Sequence, residues 1–256
     1  SQYFPPDVAN TGQLLLELAV GFVGRQTSVD VLTALPTYDR KIEAARSEVL
    51  SGVNVTRVWS TRMDKNRASG RILNSVTFFL SVFFHLLRSS SNDVLLIVSN
   101  PPFLPLVGLF LNRLRRNSYI WLVHDVYPEI AVRLGYLKEG GLLSWIWNRM
   151  NRAVGAHAWR IIVLNDSMKQ VFVQKLRLAG EKQEDEKIVV IHNWAREDFI
   201  ALVPRAKNEF LKLHNLADRF VVQYSGNLGL FQELEILIEA ARMIDDPGIC
   251  FLFIGE

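Results

Sequence analysis

Four runs of almost unbroken apolar residues frame the chain: 94–99 (VLLIVS), 119–123 (YIWLV), 161–165 (IIVLN) and 187–193 (KIVVIHN). A strand with one wet face alternates apolar and polar side chains, so runs without alternation need cover on both faces. Stretches with helical spacing of apolar residues, at 103–114, 142–159 and 167–178, lie between them and can supply that cover. Strands and helices in such alternation predict an α/β fold with a parallel sheet. Two further β-rich runs, 29–36 (VDVLTALP) and 53–59 (VNVTRVW), join the pattern, with a charged helix expected between them over 40–50.

A chain of 256 residues, 49% of them hydrophobic, suffices for one large α/β domain or one and a half ordinary ones. The opening, SQYFPP, reads as the exit of a strand, and the closing run 251–255 as a strand cut where its loop begins. A fragment of a longer protein is therefore expected. The domain boundaries are expected at 1–200 for the first Rossmann-like domain and 201–219 for a linker. Residues 220–256 then repeat the grammar of strand, glycine-containing turn, amphipathic helix and strand as the truncated start of a second such domain.

Net charge is only +3, yet Arg57, Arg62, Lys65, Arg67 and Arg71 cluster with a single acid, Asp64. That local excess suits an anionic ligand or surface and argues against nucleic acid. The helix expected over 72–87 is apolar except for one stripe, Asn74, Thr77, Ser81, His85 and Arg88. At about 16 residues it is too short to span a bilayer. A core helix is the favoured reading, and contact with a membrane interface is the alternative. Arg113, Arg115 and Arg116 suit either a helix carboxyl end or anionic lipid. Tryptophans 145, 147 and 159 are expected to be packing residues. Lone Cys250 permits no internal disulfide, and no signal sequence opens the chain, so a cytoplasmic location is expected, with peripheral contact to the inner face of the plasma membrane.

The chemistry concentrates where strands end. After 119–123 the chain releases His124 and Asp125 and meets Pro128, and in open α/β sheets ligands bind beyond the carboxyl ends of strands. The alternative is a packed histidine and an Asp capping the helix that begins near Glu129. Upstream, the loop DVANTG offers Asn10 and Thr11 as helix caps, with Gly12 where backbone could approach a ligand. Downstream, Ser225, Gly226, Asn227, Leu228 and Gly229 form a strand-to-helix turn compatible with phosphate, or simply a tight turn. No G-x-G-x-x-G, P-loop, HExxH, cysteine cluster or G-x-S-x-G is present, which removes the dinucleotide-fingerprint, P-loop, zinc-hydrolase and serine-hydrolase readings.

Taken in order, SQYFPPDVANTG, SNPP, HDVYPE, LND-SMK, VIHNW and YSGNLG resemble the retaining glycosyltransferases of family four, in the branch that builds bacterial surface polysaccharides. The resemblance implies a GT-B fold of two Rossmann-like domains, with the acceptor held by the first, a nucleotide-sugar by the second and metal-independent chemistry between them, so it adds the expectation of no metal site and no cofactor. It implies that Gly12 approaches the donor diphosphate and His124 faces the transferred sugar. Asp125 and Glu129 would be orienting or acceptor-side groups. Gly226, Asn227 and Gly229 would form the donor phosphate turn, with Asn193 and Trp194 near the hinge. A lipid-linked acceptor is implied as partner. Two departures from the family stand out: Phe231, Gln232 and Glu233 occupy positions where relatives carry cations, and the paired glutamates of the family would fall beyond Glu256. A nucleotide-sugar 2-epimerase and a catalytically silent membrane-associated subunit are the rival readings.

Overall fold

The computed structural model describes residues 1–7, 9–36, 44–64, 67–89, 94–177, 184–195, 201–226, 228 and 232–255. Contacts divide the chain into two compact units, Ser1–Asn193 and Trp194–Glu256.

In the first unit the apolar runs become strands. Along the chain come α1 (Asn10–Val23), β1 (Asp30–Ala34), β2 (Ser47–Leu50), β3 (Val53–Val58), α2 (Ala68–Arg88), β4 (Leu95–Val98), α3 (Pro105–Arg115) and β5 (Tyr119–Val123). They are followed by α4 (Glu129–Arg133), α5 (Leu142–His157), β6 (Arg160–Val163), α6 (Asp166–Arg177), α7 (Glu184–Lys187) and β7 (Ile188–Val190). Strands β4, β5, β6 and β7 form a parallel sheet in that order, and β1, β3 and β2 form a second sheet. Residues 1–4 stitch the two together. The Gln2 carbonyl accepts from Ala34 N at 3.2 Å and Thr33 Oγ1 at 3.1 Å, while Gln2 N donates to Asn100 O at 3.1 Å.

The core explains the unbroken runs. Tyr119, Trp121 and Val123 of β5 and Ile161 and Val163 of β6 are buried with Phe78 and Val82 of α2, Val107 and Leu111 of α3, and Phe172 and Leu176 of α6. Trp121 meets Phe172 edge-on at 5.0 Å, and the Tyr119 hydroxyl donates to Val154 O at 2.5 Å. A glycine brings α3 this close to the sheet. A side chain at Gly108 would stand 2.8 Å from Ile97 Cδ1 and from the Tyr119 ring.

Several sequence expectations are corrected. The helix expected over 40–50 is absent from its described part: residues 47–50 are β2, paired antiparallel with β3 through a two-residue turn at Ser51 (φ 51°) and Gly52 (φ 84°). Positive φ at both turn positions matches the twist of a hairpin, and charged side chains are common on an edge strand. Residues 37–43 lie outside the described residues. Helix α2 has 21 residues rather than 16, and among the described residues it is the one helix long and apolar enough to cross a membrane, by length and composition only. It is only partly a core helix. Phe78 and Val82 are buried, whereas Leu73, Val76, Leu80, Phe84 and Leu87 face outward.

Arg57 does not belong to a surface cluster. It is buried and donates to Ala45 O (2.7 Å), Pro5 O (2.8 Å) and Glu48 Oε1 (2.6 Å), fastening β2 and the 1–6 segment to β3. Arg115 donates to the carbonyls of Leu86, Leu87 and Ser89, closing the open carboxyl end of α2. Trp145 and Trp159 are exposed rather than packed inside.

The second unit contains a short turn at Arg205–Lys207, α8 (Glu209–Leu213), β8 (Phe220–Ser225), α9 (Glu235–Arg242) and β9 (Ile249–Ile254). Asn208 caps α8 by accepting from Leu211 N at 3.2 Å. Strands β8 and β9 pair in parallel in a sheet of their own, from Phe220 opposite Ile249 to Ser225 opposite Ile254.

The glycines give a matched pair of tests. Gly108→Ala should cost about 1–3 kcal/mol, because the core around it is filled. Gly21→Ala on α1, where nothing lies within 4 Å, should instead gain about 0.5–1 kcal/mol from helix propensity. Thermal unfolding of the two variants should therefore move in opposite directions.

Candidate functional site

His124 is the first side chain to leave the sheet after β5, whose last residue, Val123, is buried. Its backbone is anchored to the neighbouring strand. His124 N donates to Ser99 Oγ at 3.0 Å, and Asp125 N points to the same oxygen at 3.5 Å. Ser99 directly follows β4 and is buried, so the SNPP and HDVYP segments interlock just beyond the sheet ladder.

The imidazole is half-buried, and that burial lowers its pKa below the ordinary 6.5, against an upward pull from Asp125. It is therefore neutral at neutral pH. Asp125 is exposed and does not act as the expected cap: the residue preceding α4 is Pro128, and no side chain caps that helix.

The turn after His124 is held from the other side by two helices. Tyr127 O accepts from Asn151 Nδ2 of α5 at 2.6 Å and from Lys175 Nζ of α6 at 3.1 Å. The Tyr127 ring stacks on Trp147 at 5.5 Å and 15°. Its phenol pKa is raised, first by burial and then by Asp125, while Arg71 pulls it down, which places the start of α2 within electrostatic reach of this rim. Glu129 Oε2 accepts from Lys175 Nζ at 2.8 Å. The Lys175 side chain is only 9% exposed, and burial depresses its pKa despite that carboxylate.

Gly12 is buried in the first turn of α1. A Cβ there would stand 3.1 Å from Phe4 Cα and 3.3 Å from Phe4 N, so the glycine lets the helix start against the 1–4 segment. Neither Asn10 nor Thr11 is the cap; Ala9 occupies that position without a side-chain bond. In the second unit Gly226 follows β8 and donates to Ile254 O at 2.9 Å. A Cβ on Gly255 would fall 1.8 Å from Gly226 O, so the ends of β8 and β9 touch backbone to backbone. Asn227 and Gly229 lie outside the described residues. Asn193 closes the first unit, exposed, and Trp194 opens the second at 40% exposure.

The first unit thus gathers His124, Asp125 and Glu129 on one short stretch. Sequence reasoning missed Ser99, Asn151 and Lys175, which hold that stretch. One signal was available: Lys175 interrupts the apolar face of α6 made by Phe172, Val173 and Leu176. A separate groove of about 620 Å³ runs between β3 and α2, lined among others by Trp59, Leu80, Phe84, His85 and Arg88, and His124 is not part of it. Among the described residues no group of three or more His, Cys, Asp or Glu is placed to hold a metal ion.

Comparison with known proteins adds to this geometry. The family model for a glycosyl transferase 4-like domain matches residues 11–194. The probable glycosyltransferase WbjE of Pseudomonas aeruginosa is 28% identical over 197 residues, covering 76% of this chain and 48% of the relative. The chain therefore spans about half the length of that curated relative. HepE of Anabaena, solved with UDP-glucose, superposes with a TM-score of 0.62 at 16% identity, over 99% of this chain and 58% of its own. Sucrose-phosphate synthase of Thermosynechococcus elongatus gives 0.70 at 15% identity, over 96% and 57% respectively. These neighbours are GT-B glycosyltransferases, and the likeness shows that fold for this chain.

The lowered pKa of His124 fixes the sign of a pH effect. The folded state binds fewer protons at this ring than the unfolded state, so its burial costs nothing above the ordinary 6.5 and destabilises the fold as pH falls below it. Urea midpoints should drop between pH 7.5 and pH 5, and His124→Gln should reduce that drop.

Proposed function

We propose, from the premise that this chain belongs to the glycosyl transferase 4-like family, that the whole protein moves a hexosyl group from a nucleotide-sugar donor to an acceptor, with retention of configuration. The observation that carries the reading is the neutral, half-buried imidazole of His124, held just past the end of β5. A neutral ring can hydrogen-bond a sugar hydroxyl without setting a fixed positive charge beside a centre that itself becomes positive as the glycosidic bond breaks. That HepE was solved with UDP-glucose supports a nucleotide-sugar as the donor class.

In this reading Gly12 lets the amides of the first turn of α1 approach the donor diphosphate, and Gly226, Asn227 and Gly229 are assigned to the donor phosphate turn of the second unit. Asp125 and Glu129 stand on the acceptor side, and Asn193 and Trp194 mark the passage between units. Charge on the departing diphosphate is met by amides, and no metal is assigned. Replacing His124 with Ala in the full-length protein should lower transfer about 10²-fold or more while leaving the fold intact. Undiminished turnover, read as nucleoside diphosphate released per acceptor, would remove the ring from the mechanism.

The acceptor is assigned to the lipid-linked class, and the enzyme to envelope polysaccharide synthesis at the cytoplasmic face of a membrane. Support comes from α2. Leu73, Val76, Leu80, Phe84 and Leu87 form an outward stripe at helical spacing, 37–49% exposed, beside exposed Trp59. The helix carries no acidic residue, and Arg67, Arg71 and Arg88 lie at its two ends, a pattern that suits an anionic interface. Leu80→Glu and Phe84→Glu should each release the protein from anionic vesicles in a flotation assay without changing its thermal unfolding.

A further inference from the structure

The turn that carries His124 is gripped on two sides by groups of different origin. On one side Ser99 takes the amide of His124. On the other, three residues later, the Tyr127 carbonyl receives the Asn151 amide at 2.6 Å and the Lys175 ammonium at 3.1 Å. Both donors are buried, and they come from α5 and α6, which pack on each other as well as on the sheet.

Lys175 is the unusual member. A buried amine is costly unless it is fully partnered. Its two hydrogen-bond acceptors, Tyr127 O and Glu129 Oε2, both belong to the stretch that follows His124. Phe172 lies 5.5 Å beneath it, and Arg152 of α5 opposes it electrostatically. A leucine or methionine would continue the apolar face of α6 without these demands, and buried ion pairs are a poor source of net stability. What the pair supplies is geometry: it ties the 127–129 turn to a helix that is itself fixed in the core.

We propose that Lys175, together with Asn151, is a positioning residue for His124, clamping the Tyr127 carbonyl so that the imidazole keeps its half-buried setting beyond the end of β5. This deepens the reading of His124 as the group that faces the transferred sugar and rests on it. Neither side chain needs to touch substrate.

The test uses the full-length protein and two readouts. The first is the titration of the His124 ring followed by NMR, assigned with His124→Gln. The second is the kcat and KM of transfer with a nucleotide-sugar donor. Asn151→Ala removes an uncharged donor, so any shift in His124 reports loosening rather than a change in nearby charge. Its titration should move up toward the ordinary 6.5, because burial is what holds it down. Lys175→Met should move it the same way and lower kcat about tenfold or more, with KM for the donor within about twofold. Should Lys175→Met fail to fold, Asn151→Ala still decides. An unchanged His124 titration in folded Asn151→Ala, or in folded Lys175→Met, overturns the proposal. If His124→Ala retains full transfer while the titrations shift as expected, the clamp stands and the sugar-facing role of the ring falls.

Discussion

Burial of β5 on both faces is the constraint from which the first unit follows. Tyr119, Trp121 and Val123 are buried on one face and Leu122 on the other, with Ile120 partly covered, so no position along the strand is open to water. The helices that cover it need the same apolar faces, and Gly108 lets α3 approach until only side-chain carbon separates them. Ionisable groups are thereby expelled to the strand end, where the backbone can turn away from the sheet. His124 and Asp125 stand at that exit, and the chemistry assigned to the protein depends on their being held there.

Holding them takes polar contacts that the sheet cannot provide. The two sheets of the first unit are joined by residues 1–4, which exchange hydrogen bonds with β1 on one side and with Asn100 on the other. Arg57 performs a comparable task deeper in, binding the carbonyls of Pro5 and Ala45 and the carboxylate of Glu48 with one planar fork. Around the candidate site the same logic recurs with Ser99, Asn151 and Lys175. A rigid apolar interior and a small number of buried donors at its margin divide the work between them.

Much of this was legible in the residues. Strands β4, β5 and β6 were readable because an unbroken apolar run between helical patterns has few other ways to be buried. Strand β2 was not, since Arg46, Glu48 and their neighbours imitate the charge spacing of a solvated helix. The Ser-Gly pair between Leu50 and Val53 was the available hairpin signal. Arg57 was misread from its charge alone, although the alternation of buried Val53 and Val55 places it on the inward face. The candidates His124 and Asp125 could be picked out from the strand-end pattern, and Glu129 from the family resemblance. Their supports could not, because Ser99, Asn151 and Lys175 lie 24 to 48 residues from the groups they bind and meet them only through the packing of strands and helices. Glu129, placed by the resemblance among orienting or acceptor-side groups, is in the structure also one half of an ion pair with Lys175.

The contact between Gly226 and Gly255 gives the second unit a different kind of edge. With a Cβ excluded on Gly255 by the carbonyl of Gly226, the adjoining tips of β8 and β9 meet as bare peptide. Peptide groups neither gain nor lose protons between acid and mildly alkaline solution. Whatever that edge holds through its own peptide groups, the edge itself adds no titration across this range.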